Sequence, residues 1–217
     1  MTGTMTEKPN DGQTLKLPLF SVSRLRMEID GDGVTTLVAA KGCPLHCRYC
    51  INADVLGDSV ASRAVTPEEL LAMVKIDDLY FRATNGGITF GGGESLLHAK
   101  FIRAFSEIAP SEWRIFAETS LNVPSELLRE ALPAVDYFIV DIKDMNPDIY
   151  RAYTDSDNSL VTENLRILAE AGRCGDVKIR VPRIPSYNTD EDRCSSVTAV
   201  QAIGPFQTFD FFDYVLR

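Results

Sequence analysis

The chain has 217 residues, 45% hydrophobic and 24% charged, the make-up of one globular domain with a substantial core, or at most two small ones. No apolar run approaches the ~20 residues of a membrane span, and the first twenty residues lack the basic start and apolar stretch of a secretory signal. Lys and Arg number 22 against 31 Asp and Glu, a net charge of −9, which argues against a surface built to wrap nucleic acid.

Residues 1–16 are polar and aperiodic and are expected to form a flexible tail, leaving 17–217 as a single domain. Beyond them, short apolar runs alternate with longer amphipathic segments, the pattern of repeated β-α units on a parallel sheet. The first strand is predicted over Val34 to Ala40, opening at Lys41-Gly42 into a cysteine-rich loop. A helix follows, with Thr66 as N-cap, Pro67 in its first position, Glu69 closing a capping box, and Leu70, Leu71, Met73, Val74 and Leu79 as its buried face. The second strand, Gly87 to Phe90, ends in Gly91-Gly92-Gly93-Glu94. Then come a helix from Ala99 to Ile108, a strand from Arg114 to Glu118, and a short helix from Pro124 to Leu132. A fourth strand from Tyr137 to Ile142 precedes helices over Pro147 to Tyr153 and Leu160 to Ala171. A fifth strand, Val177 to Val181, a helix from Asp190 to Ile203 and a sixth strand, Thr208 to Val215, complete the series. Six such units form an α/β fold, either an open barrel or a doubly wound sheet, with the polar and Gly-rich residues gathered where strands end.

Of five cysteines, Cys43, Cys47 and Cys50 lie within eight residues as C-x3-C-x2-C, while Cys174 and Cys194 are distant. A disulfide framework would spread its cysteines, so the clustering points to metal ligation by thiolates. Three cysteines on a four-iron cubane leave one iron open to bind and activate a small molecule. The rival is a structural zinc site completed by His46 or His98, but His46 directly precedes Cys47 and no second Cys/His knuckle exists. Cys174 precedes the fifth strand, at the opposite sheet end from the cysteine loop, and Cys194 lies inside a predicted helix; both read as structural. His98 reads as a helix-surface histidine.

The segment Gly42-Cys43-Pro44-Leu45-His46-Cys47-Arg48-Tyr49-Cys50 resembles the cluster loop of the radical S-adenosylmethionine (SAM) superfamily. Gly86 to Ser95 (GGITFGGGES), Glu118-Thr119-Ser120, Asp141-Ile142-Lys143 with Met145-Asn146, and Lys178-Ile179-Arg180 follow in the order found in glycyl-radical-enzyme activating enzymes, and Asp30-Gly31-Asp32-Gly33 resembles the approach to their first strand. The resemblance runs from about Ser21 to Tyr214. It implies a partial (β/α)6 TIM-like barrel, open on one side to admit a protein substrate. It also implies a [4Fe–4S] cluster on Cys43, Cys47 and Cys50, S-adenosyl-L-methionine bound at the free iron, and reductive cleavage to methionine and a 5′-deoxyadenosyl radical. In the family that radical removes a hydrogen from a glycine of a partner glycyl radical enzyme.

On the same resemblance, the SAM-binding residues are Tyr49, Cys50, Ile51, Gly92, Gly93, Glu94, Asp141, Ile142, Lys143 and Arg180. Gly92 and Gly93 let backbone approach the methionyl group, and Glu94 offers an acceptor to its ammonium. Asp141 and Lys143 share one strand face, toward the barrel interior, to hold ribose or carboxylate. Tyr49 and Ile51 could meet adenine, and Arg180 the carboxylate. Two departures stand out: Tyr214 is not followed by the family's His, and Glu118 replaces the Asp of an Asp-Thr pair that serves a monovalent cation. Three readings stay open: a glycyl-radical-enzyme activase, a radical SAM enzyme acting on a small molecule, peptide or nucleotide (7-carboxy-7-deazaguanine synthase and anaerobic ribonucleotide reductase activase are nearby), or a non-catalytic metal or electron-transfer protein. The expected setting is an anaerobic cytoplasm, with flavodoxin or ferredoxin as electron donor because no second cluster motif is present.

Overall fold

The structure is a computed structural model that describes residues 15–57 and 60–214. The expected tail therefore lies outside the described residues except for Leu15 and Lys16, as does Val215 at the end of the sixth strand. Eight strands form one sheet: β1 (Leu17–Met27), β2 (Val34–Ala40), β3 (Arg63–Val65), β4 (Gly87–Gly92), β5 (Arg114–Thr119), β6 (Tyr137–Asp141), β7 (Val177–Arg183) and β8 (Thr208–Asp213). Their order is β3-β1-β2-β4-β5-β6-β7-β8. From β2 to β8 every pairing is parallel, whereas β1 runs antiparallel to both β2 and β3. The edge strands β3 and β8 do not pair among the described residues, so the sheet stays open, as expected of a partial barrel.

Each of the six predicted strands appears as one of the parallel strands; in five of them the β-branched and aromatic run is buried, while β8, at the sheet edge, is half-buried to exposed. Val38, Ile88, Phe116, Phe138, Val140, Ile179 and Val181 are all at most 1% exposed. The helices are α1 (Ala53–Leu56), α2 (Pro67–Val74), α3 (Asp78–Thr84), α4 (Ala99–Ile108), α5 (Ser125–Ala131), α6 (Pro147–Thr154), α7 (Ser159–Glu170) and α8 (Asp190–Ile203). Thr66 and Glu69 close the predicted capping box with Pro67 behind it, and Asn85 and Asp155 end α3 and α6 in the left-handed region. None of these helices is long and apolar enough to cross a membrane.

Two expectations are corrected. The helix opening at Thr66 does not keep one buried face through Leu79: α2 stops at Val74, a 3-10 turn covers Lys75–Asp77, and Leu79 is 73% exposed on α3. The break turns Asp77 inward, where it is fully buried and accepts from Arg24 on β1 and Thr36 Oγ1 on β2 (2.8 Å). The second correction adds β1 and β3. The pairing of β1 with β2 shifts register between Leu19 and Ser21 and again between Ser23 and Arg26, so its side chains do not hold a clean alternation.

Candidate active site

Parallel strands place their following loops at one end of the sheet, and here those loops converge on a cavity of about 730 Å³. It is lined by Cys43, Cys47 and Cys50 from the loop after β2, by Gly92, Gly93 and Glu94 after β4, by Asp141 and Lys143 at the end of β6, and by Arg180 on β7. Tyr49 and Ile51 line it as well, Ile51 with 75% of its surface exposed. Ile142 does not: its side chain is fully buried in the core on the other face of the β6 end. Cys174 and Cys194 also lie away from this cavity.

The cysteine loop is held from three sides. His46 and Arg48 donate backbone N–H groups to Thr154 and Tyr153 carbonyls at the end of α6 (3.0 and 3.1 Å). Gly93 N donates to Ala40 O (2.9 Å) and Glu94 N to Gly42 O (2.7 Å), joining the glycine run to the loop entrance. His98 Nε2 sits 2.7 Å from Lys41 O, so this residue is a half-buried strut of the loop rather than a surface histidine. Burial holds its imidazole below the ordinary value. A Cβ on Gly93 would lie 2.1 Å from Gly42 O, and Gly92 has φ +92, so both positions need glycine for the approach.

Glu94 is 2% exposed and its carboxylate is already engaged. Oε1 accepts from Leu96 N (3.1 Å), and Oε2 accepts from Ser120 N (2.8 Å) and Ser120 Oγ (2.7 Å). It therefore clamps the loop after β4 to the loop after β5. Arg180 is engaged too, donating to Glu118 Oε1 (2.7 Å) and Ile29 O (2.6 Å), with Asp210 at 3.8 Å. Burial raises the Glu118 carboxyl and Arg180 opposes that rise. Of the Asp30-Gly31-Asp32-Gly33 turn, Asp30 lines the cavity: 2% exposed, it pairs with Arg26, and its carbonyl accepts from Thr89 Oγ1 (2.6 Å).

Asp141 and Lys143 do share a face, with Lys143 Nζ donating to Asp141 Oδ2 (2.7 Å) and Tyr214 Oη (3.1 Å). Burial works against the Lys143 charge, but Asp141 and Tyr214 hold its ammonium well above the usual lysine value. Burial pushes the Cys47 thiol up to about 11, with Lys143 pulling it down, and raises Cys43 as well. Sequence reasoning missed Asn52, whose Nδ2 donates to Gly92 O (2.7 Å). It also missed the packing of Tyr49, Tyr153, Tyr187 and Tyr214, with centroids of contacting rings 5.2–6.1 Å apart. Four separate segments supply those rings, and no local spacing relates them. Asn52 carried one usable signal, its place two residues after the last loop cysteine.

The model of the radical SAM superfamily matches residues 37–193, from β2 into α8. The chain belongs to the radical SAM superfamily. With membership come an enzymatic role and its two cofactors, a [4Fe–4S] cluster and S-adenosylmethionine. Among curated relatives, the isethionate sulfite-lyase activating enzyme of Desulfovibrio desulfuricans is 26% identical over 90% of this chain and 82% of its own length. The pyruvate formate-lyase-activating enzyme of Staphylococcus aureus is 30% identical over 82% of this chain and 72% of its own length. The solved structure of Streptococcus suis SuiB bound to S-adenosylmethionine covers 82% of this chain and 40% of its own, with TM-score 0.62 and 12% identity; that likeness concerns the fold.

The residues present fit both cofactors. Three thiols on one loop supply a soft donor set, and the glycine run is a cradle that any Cβ would fill. Two of the residues lining the same cavity, Asp141 and Tyr153, each carry a buried side-chain oxygen, Oδ1 and Oη, with no hydrogen-bond partner.

Proposed function

We propose that this enzyme activates a partner glycyl radical enzyme by removing a hydrogen atom from a glycine Cα of that partner. The observation that carries the reading is the open side of the sheet: the cavity holding the cysteine loop is walled by β1 residues Phe20 and Ser21 and by β8 residues Asp210 and Phe212, strands that do not pair with each other. The curated relatives, activating enzymes by name, favour the same substrate class. Residues 17–217 act as one catalytic domain in this reading. Cys43, Cys47 and Cys50 hold the cluster. Tyr49, Cys50, Ile51, Gly92, Gly93, Glu94, Asp141, Lys143 and Arg180 surround S-adenosylmethionine, and Ile142 supports them from the core side.

With S-adenosylmethionine bound beside it, a reduced cluster on Cys43, Cys47 and Cys50 would supply the one electron that cleaves the sulfonium to methionine and a 5′-deoxyadenosyl radical. The protein's own contributions are positional. Lys143, fixed between Asp141 and Tyr214, presents a cation in the cavity wall, and the unpartnered Asp141 Oδ1 accepts a ligand N–H or O–H. Glu94 acts through Leu96 and Ser120 to hold the loops apart at the right distance. The electron comes from flavodoxin or ferredoxin in an anaerobic cytoplasm, since the chain offers no second cysteine cluster.

The test is anaerobic reconstitution with iron and sulfide, followed by S-adenosylmethionine and a reductant. Methionine and 5′-deoxyadenosine should form, and addition of the partner glycyl radical enzyme should give a glycyl doublet in electron paramagnetic resonance. Cleavage without a doublet, but with turnover of a small molecule, would overturn the activase reading and leave the family chemistry standing.

A further inference from the structure

We propose that Asn52 is a positioning residue that ties the cysteine loop to the glycine cradle and sets the orientation of the Gly92–Gly93 peptide for S-adenosylmethionine binding. The polar ends of that one peptide unit are both held. Its N–H, on Gly93, donates to Ala40 O of β2 (2.9 Å), and its C=O, on Gly92, accepts from Asn52 Nδ2 (2.7 Å). A flip of this peptide would turn ψ of Gly92 and φ of Gly93. Glycine resists both rotations least, so the peptide has little intrinsic stiffness and depends on its two hydrogen bonds.

Asn52 itself stands at the N-cap of α1, where an asparagine side chain would ordinarily accept from a helix N–H. It makes no such bond. Its backbone carbonyl accepts from Val55 N and Leu56 N (3.1 and 2.9 Å), while the side chain is diverted to β4. Asn52, Gly92 and Gly93 all line the cavity, so within its wall the bond joins the loop of the proposed cluster ligands to the cradle. One side chain thus fixes the spacing between the two parts of the site that must meet the same ligand.

The experiment compares reconstituted wild type with Asn52→Ala, Asn52→Asp and Asn52→Gln. Iron and sulfide content should match wild type in all three variants. S-adenosylmethionine affinity, read by calorimetry, should fall about five- to tenfold in Asn52→Ala, the range of one neutral hydrogen bond. Asn52→Asp, which cannot donate and sets a carboxylate against a carbonyl, should fall further, and Asn52→Gln should recover part of the loss. The change in the reduced cluster's electron paramagnetic resonance spectrum on adding S-adenosylmethionine should need correspondingly more ligand. Wild-type affinity and spectra in Asn52→Ala and Asn52→Asp would overturn the proposal. So would cluster loss in Asn52→Ala, which would make Asn52 a loop-folding residue. Failure of wild type to bind S-adenosylmethionine would instead strike at the cofactor assignment, and the wild-type arm reads that separately.

Discussion

Glu94→Gln changes one carboxylate oxygen to an amide nitrogen at nearly constant volume, and the structure says what that costs. Glu94 accepts from three donors, Leu96 N on one oxygen and Ser120 N and Oγ on the other. A glutamine can offer an oxygen to only one side. Its better orientation keeps Ser120 and turns the NH2 toward Leu96 N–H, leaving a buried donor facing a donor. Orphaning that N–H costs about 1–3 kcal/mol, and the two surviving bonds each lose the extra strength of a charged acceptor, of order 0.5–1 kcal/mol apiece. Relief of carboxylate desolvation offsets part of the sum, so the net loss is about 2 kcal/mol. For a chain of this size that lowers the melting temperature by roughly 4–8 °C. Anaerobic thermal unfolding followed by circular dichroism at neutral pH measures it. A drop under about 1 °C, well below one hydrogen bond's worth, would refute the clamp and return Glu94 to the role of a free ligand acceptor.

Arg180→Met should destabilise the fold by about 1–3 kcal/mol at neutral pH, because it leaves the part-buried Glu118 carboxylate without its charged partner. Urea unfolding should then show Arg180→Met/Glu118→Gln to be more stable than Arg180→Met, and additive losses would exclude the coupling. His98 titrates below its ordinary 6.5 in the fold. The unfolded chain therefore takes up the proton first, and stability that is full above pH 6.5 should fall as pH drops below 6.5 toward the depressed folded value. In His98→Gln the urea midpoint should lose that dependence; an unchanged pH profile would show that His98 does not contribute. Cys47→Ala should retain the circular dichroism of the fold and abolish cluster assembly, and a full complement of iron in that variant would contradict the ligand assignment.

The five inner parallel strands were legible because each is a short, mostly apolar run bounded by Gly or a charged residue, and burial is what such a run specifies; β8, half-buried to exposed, was marked by its aromatic residues. β1 was not legible. Its second half, with half-exposed side chains, a positive φ at Leu25 and a register shift between Ser23 and Arg26, lacks the alternation by which a half-buried strand is recognised. The cysteines, the glycine run, Asp141 and Lys143 were all placed around one cavity because each follows or ends a parallel strand, and strand order alone brings such positions together. What spacing could not tell was which polar groups are already spent. Glu94 and Arg180 were read as ligand contacts on the family resemblance; their partners within the fold, Leu96 and Ser120 for one and Glu118 and Ile29 for the other, come mostly from other strands and loops and no spacing pointed to them.

That accounting narrows where a ligand must make its polar contacts. Buried polar groups in native proteins are almost always hydrogen-bonded, so the exceptions carry information. Among the described residues five buried side-chain atoms lack a partner: Thr35 Oγ1, Asp141 Oδ1, Tyr153 Oη, Asn164 Oδ1 and Arg193 Nε. Only Asp141 and Tyr153 belong to residues lining the cavity, on either side of Lys143 and Tyr214. Three parts of the surrounding wall are tied down by the fold itself: Glu94 by its three donors, the cysteine loop by α6 and β4, and Arg180 by the Glu118 and Ile29 contacts. A ligand entering this cavity meets a polar wall largely fixed in advance, and Asp141 and Tyr153 are the cavity-lining side chains that still carry a buried atom without a partner.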